Sequence, residues 1–211
     1  MSLWPAYIAF GGVILGLGVN TVKDVLMARS KNKADRVYLS IMVGAELGKY
    51  IQGCHGVATD DGRPNDPWAS FEDEERRPQF EPPKFKPMDM AVEWKVLPAQ
   101  LLHDILDIPH EANRIESSIT FEGMMDDDVP DHREFFWKRR ELWAYMGLRV
   151  IEIASRLRKL SGLPDPPRIE GDWNLAVSFQ EVVDTVTAER KKYEERVAAF
   201  NARRAAVGAD S

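Results

Sequence analysis

Charge is missing from the start of this chain. Met1 to Val22 holds no Asp, Glu, Lys, Arg or His, and Lys23 is the first charged side chain. Cysteine is nearly missing as well. Cys54 stands alone among 211 residues, which excludes an internal disulfide and any zinc site built on several cysteines. It reads as a small, partly buried residue near a helix end. No glycine loop of the phosphate-cradling type occurs, nor a nucleophile elbow, nor a supportable Ser/His/Asp set. Those absences leave no reaction to name; a non-enzyme is the favoured expectation, and no cofactor is expected. Alternating strand patterns and internal repeats are also lacking.

Basic charge is scarce where a nucleic-acid binder would need it. The net charge is −6, with a balance of +3 over residues 1–55, −4 over 56–90 and −5 over 91–211. An acidic body argues against general binding of nucleic acid, because phosphate backbones need a basic surface.

What is present at the N-terminus is a run of apolar residues. A helix over the uncharged stretch would reach about 33 Å, close to the ~30 Å hydrocarbon core of a bilayer. Trp4 and Tyr7 stand where aromatic side chains favour the interface, and Gly12 and Gly16 form a small-xxx-small face suited to helix contact. The flank that follows is basic: Lys23, Arg29, Lys31, Lys33 and Arg36 against Asp24 and Asp35. The run lacks a basic leader and a small-x-small cleavage signature, so a signal peptide is disfavoured. The expectation is a single-pass anchor over residues 1–26 in the inner (cytoplasmic) membrane of a bacterial-type cell. The N-terminus lies outside and the body inside, as the positive-inside rule places them. Lipid is then a partner, and a homodimer through Gly12 and Gly16 is a candidate contact. The competing reading is a buried helix of a soluble fold.

Residues 27–56 predict a juxtamembrane helix. Val37–Gln52 is strongly apolar but carries Glu46 and Lys49, short and charged for a span, so it reads as a helix packed near the membrane or on the body, with a second span forming a hairpin as the alternative; Gly53 is placed to end it. Residues 57–89 hold six of the thirteen prolines and the acidic run Glu72-Asp73-Glu74-Glu75, and they read as a Pro-rich acidic linker. Its aromatics, Trp68, Phe71, Phe80 and Phe85, are candidate docking points for a neighbouring surface or a partner.

From residue 90 to 211 the periodicity predicts an antiparallel helical bundle, so the fold class is all-α. Leu97, Leu101, Leu102, Ile105, Leu106 and Ile108 form one face, and Pro109 is expected to break or kink that helix. Glu122 to Pro130 reads as a loop. Asp131 and Glu134 have the spacing of a capping box at the start of the next helix. Phe136, Trp143, Gly147, Val150, Ala154 and Leu157 follow as its buried stripe, and Gly162 and Pro164 stop it. A last helix runs from about Trp173 to Ala206. Its first half, with Phe179, Val182, Val183 and Val186, reads as core. Its charged second half, with Tyr193, Val197 and Phe200, reads as an exposed amphipathic or coiled-coil arm.

Two clusters invite a metal and fail on spacing. His103, Asp107, His110 and Glu111 are interrupted by Pro109 and show no paired ligand motif. Asp126-Asp127-Asp128 with Asp131 places Pro130 where a calcium loop needs an oxygen ligand. No metal site is expected. Lys138-Arg139-Arg140, Arg149 and Arg156 to Lys159 bias one helix towards basic charge, read as ion-paired surface. The function expected is a membrane-anchored helical protein acting through an unidentified protein partner as scaffold, adaptor or accessory subunit. The alternatives are a helical-bundle enzyme or small-ligand binder without a recognisable motif, and an envelope-spanning, phage-like protein with its body outside the cytoplasm.

Overall fold

The computed structural model describes residues 4–63, 76–164 and 174–209; side chains are described at 27, from 30 on, and in the last helix up to 205. Among the described residues four helices carry the fold: α1, Trp4–Thr59; α2, Ala99–Met125; α3, Arg133–Ser161; and α4, Leu175–Ala209. Two short 3-10 turns, Pro87–Asp89 and Trp94–Val96, precede α2. The described residues contain no strand, as the missing alternation predicts.

α3 is the hub and packs against the other three helices. Side-chain pairs fix the directions. Against α1, Ser161 meets Ser40 at one end and Arg139 meets Asp60 at the other. Against α2, Arg156 meets Asp104 and Lys138 meets Glu122. Against α4, Phe179 lies over Gly147 while Arg190 reaches Glu141. So α1, α2 and α4 run one way and α3 runs the other.

The stripe expected on α3 is the core. Phe136, Trp143, Gly147, Val150 and Leu157 are buried, and Ala154 is half-buried. Trp143 is 0% exposed, and its indole N–H donates to Glu116 of α2 at 3.0 Å. A side chain at 147 would overlap the Phe179 ring, so glycine here lets α4 close on α3. α4 divides as its sequence does: Phe179, Val182, Val183 and Val186 are buried, whereas Val197 and Phe200 are exposed.

The core does not begin at residue 90. Leu39, Val43, Leu47, Tyr50, Cys54 and Val57 of α1 are all buried in it, at the three-four spacing of one helix face. Gly53 does not end that helix, which runs on to Thr59. Its lack of a side chain serves another purpose: Pro83 lies directly over it, and Phe80 lies over Gly56 one turn on. The Pro-rich stretch therefore has a bed to lie in. Over 76–89 it forms a strap along α1, with Phe85 buried edge-on against Tyr50 at 6.0 Å between ring centroids. Trp68, Phe71 and the acidic run fall outside the described residues.

Two further expectations are corrected. Pro109 does not break its helix; α2 is continuous to Met125, four residues into the expected loop. A proline inside a helix removes one amide donor without forbidding the turn, and Ile105 and Ile108, both 0% exposed, tie the turn around it to the core. Asp131 does not cap α3. The cap position is His132, in the left-handed region at φ 47°, with no side-chain cap bond. Asp128 accepts from the Arg133 amide at 3.4 Å instead, and the imidazole Nδ1 of His132 lies 3.1 Å from Asp126.

No helix among the described residues is long and apolar enough to cross a membrane. The residues on which the anchor expectation rests, Trp4, Tyr7, Gly12, Gly16 and Lys23, belong to α1, but their side chains lie outside those described, as does that of Arg29.

Candidate anion-binding cleft

Charge collects at one end of the bundle, where α1 finishes, α3 begins and α4 passes. The sequence Asp60-Asp61-Gly62 makes the chain leave α1 through two side-chain turns: Asp60 accepts from the Gly62 amide at 3.0 Å and Asp61 from the Arg63 amide at 3.1 Å. Asp60 then does more. Its other oxygen accepts from the amides of Gln79 at 2.8 Å and Phe80 at 3.1 Å, and from the Arg139 guanidinium at 2.8 Å. Arg139 also donates to the Phe80 carbonyl. Both side chains of the pair are shut away from solvent, at 2% and 4% exposure. This knot ties the end of α1, the strap and α3 together. Burying two charges is tolerated only because nearly every lone pair and donor finds a partner.

Beside the knot lies an open cleft of about 400 Å³. Its wall carries six cations, Arg63, Arg76, Arg133, Arg140, Lys192 and Arg196, and three acids, Asp61, Asp131 and Glu189. The described lining is thus +3 in a chain of net −6. Phe136 and Trp137 floor it. The acids are shared. Asp131 pairs with Arg76 at 3.4 Å and also with Arg133. Glu189 accepts from the Trp137 indole at 2.9 Å and sits 3.4 Å from Arg140. Tyr193 of α4 steadies two of the cations, with Arg133 5.1 Å and Arg196 5.9 Å from its ring centroid.

The electrostatics differ from one arginine to the next. Burial, reinforced by the charge of Arg63, draws the Arg76 pKa below the ordinary guanidinium value, against the pull of Asp131 and Asp61. At Arg133 burial acts in the same direction, but Asp128 and Asp131 outweigh it and the net shift is upward. Arginine remains charged in both cases. Arg76 is held in the cleft by its own backbone, whose amide donates to the Pro130 carbonyl at 3.1 Å.

Several of the other charged residues singled out in the sequence have structural partners. His103 and His110 are exposed on α2, while Asp107 pairs with Arg114 at 3.4 Å and Glu111 with Arg149. Among the described residues, no group of His, Cys, Asp and Glu could hold a metal ion. The basic bias of α3 is ion-paired, but across helices rather than along one: Lys138 to Glu122, Arg139 to Asp60, Arg156 to Asp104. Cys54 is buried, and burial pushes its thiol pKa up, which makes it unreactive. Of the basic flank, Lys31 and Lys33 are exposed, and the backbone carbonyl of Arg36 accepts from Ser161 at 3.4 Å. The cleft residues were not singled out as a group by sequence, since they come from four separate stretches. Neither a scan against protein-family models nor searches of curated proteins and of solved structures returns a match.

Proposed function

We propose that this chain is a single-pass membrane protein whose helical bundle works by protein contact, as a scaffold, adaptor or accessory subunit. The observation that carries the reading is the continuity of α1. One helix of 56 residues contains the uncharged run from Trp4 on, the basic flank and a face of the bundle core. An apolar segment fused in register to a packed core transmits position and force without a hinge. The basic flank favours a cytoplasmic body. On the side of α1 turned away from the core, Tyr38, Ile41 and Met42 are 56%, 54% and 42% exposed. An apolar patch of this kind next to a membrane flank suits a protein partner. The glycine face at Gly12 and Gly16 offers a homodimer contact within the bilayer.

Fractionation tests the anchor. The intact protein should stay in the membrane pellet through high salt and carbonate; release by carbonate would remove the anchor from the proposal. Topology is read with a membrane-impermeant thiol reagent on Ala45→Cys, at an exposed position of α1, since buried Cys54 does not compete. Labelling only after cells are opened places the bundle inside. Ile41→Glu should keep the melting temperature and lose the co-purifying partner; an unchanged partner profile would clear this face of the role. A second reading, a small-ligand binder, is favoured by the cationic cleft.

A further inference from the structure

We infer that the cleft between α3, α4 and the strap binds a small, soluble, phosphate-bearing anion of two or three charges, such as a diphosphate group. The argument begins with charge. Among the described lining residues six cations face three acids, and two of those acids already serve two donors each. Asp128, just outside the lining, also pairs with Arg133 at 3.2 Å, and the balance of about +2 that remains still exceeds what one carboxylate neutralises. The donor type narrows the class further. Guanidinium groups present paired N–H donors that fit the oxygens of phosphate, and every cation of this wall except Lys192 is an arginine, two of them held against Tyr193. The space of about 400 Å³ falls within the ~300–1,000 Å³ usual for small-molecule sites, larger than an inorganic ion needs. Phe136 and Trp137 give the ligand's uncharged part an apolar surface.

Lipid headgroups carry the same phosphate chemistry, and position separates the two sources. The cleft lies at the Asp60 end of α1, whereas the basic flank ends at Arg36. Those 24 residues of helix span about 36 Å, several times the depth of a headgroup layer. A bundle anchored through α1 holds the cleft away from the lipid surface. The choice of a soluble ligand rests on the proposed anchor; the choice of phosphate does not.

The test uses the full chain in phosphatidylcholine nanodiscs, titrated with inorganic pyrophosphate in a calorimeter at low salt. Saturable binding is expected, weakening as salt rises. Lys192→Gln, at an exposed position, should weaken it about tenfold, the scale of one charge-assisted hydrogen bond. Lys159→Gln, exposed at the opposite end of α3, should leave it unchanged. No saturable heat, or equal losses from the two variants, would overturn the site. Discs containing phosphatidylglycerol decide the source: if pyrophosphate affinity drops in them and Lys192→Gln abolishes the difference, the cleft takes headgroups and the soluble ligand is wrong. Elution of the protein with the discs reports on the anchor separately, so binding by protein that fails to enter discs would keep the cleft and remove the anchor.

Discussion

From Trp143 to Leu157, the buried residues of α3 are apolar; from Arg133 to Arg140 the same helix buries Phe136 and Trp137 but adds a buried charge, Arg139, and a set of ion pairs. The first stretch packs Trp143, Val150, Ile153 and Leu157 against neighbours of the same kind. The second sets Arg133, Lys138, Arg139 and Arg140 against acids from four other segments. Apolar burial is tolerant, because any side chain of the right size recovers most of the gain. Ionic burial is not: a lone buried charge costs more than the pair contributed. The two ends of one helix should therefore fail in different ways.

The largest effect is expected at the ionic end. Asp60→Ala leaves Arg139 without its carboxylate and three backbone amides without their acceptor. A loss of about 5 kcal/mol in urea unfolding is expected. The strap should loosen with it, so protease cleavage after Arg76 or Arg77 should accelerate more than unfolding alone explains. A loss below about 1 kcal/mol would mean that water can take the place of Asp60, and the contrast between the two ends would collapse.

Next comes the apolar end. Trp143→Ala removes the largest fully buried side chain and should cost about 4 kcal/mol. Trp143→Phe keeps most of the volume and should recover more than half of that. Failure of Phe to recover would shift the weight to the hydrogen bond with Glu116.

The same contrast explains what could be read in advance. The apolar end announces itself through spacing: Trp143, Gly147, Val150, Ala154 and Leu157 repeat at three and four, and so do the core residues of α4. The ionic end has no such signal. Asp60 follows a helix and precedes Asp-Gly, which marks a turn, but nothing marks its partner Arg139, 79 residues on. Cleft residues likewise come from positions 61–63, 76, 131–140 and 189–196, joined only by the fold. Stop signals misled for a related reason. Gly53 and Pro109 are local breakers, and tertiary packing overrides them: Pro83 occupies the space over Gly53, and Ile105 and Ile108 bury the turn around Pro109. Asp131 has the spacing of a cap, but Arg76, from a distant strap, engages it instead.

A smaller effect sharpens the apolar half. Gly147→Ala introduces a methyl group into the Phe179 ring and should cost about 2 kcal/mol by overpacking. Phe179→Leu frees that space. The double variant should then be more stable than the sum of the single changes, a coupling that thermal unfolding of all four proteins measures. Strict additivity would mean that α3 and α4 are not in tight contact at this level.

The smallest effect belongs to the arm of α4, where neither kind of burial operates. Phe200 is 64% exposed and Val197 40%, on a helix whose residues from 194 to 205 are all exposed. An isolated helix of this length is marginal in water, so its order depends on continuity with the packed turns before Val186. Phe200→Ala should change the unfolding free energy by less than about 0.5 kcal/mol, as for an ordinary surface position. Amide exchange should show the same gradient, slow at Phe179 to Val186 and fast beyond Arg196. A cost above about 1 kcal/mol, accompanied by a smaller size on gel filtration, would give the arm an apolar partner that it loses with Phe200. The coiled-coil character of its sequence would then be the property that matters, and α4 would show a third mode of burial, supplied by another chain.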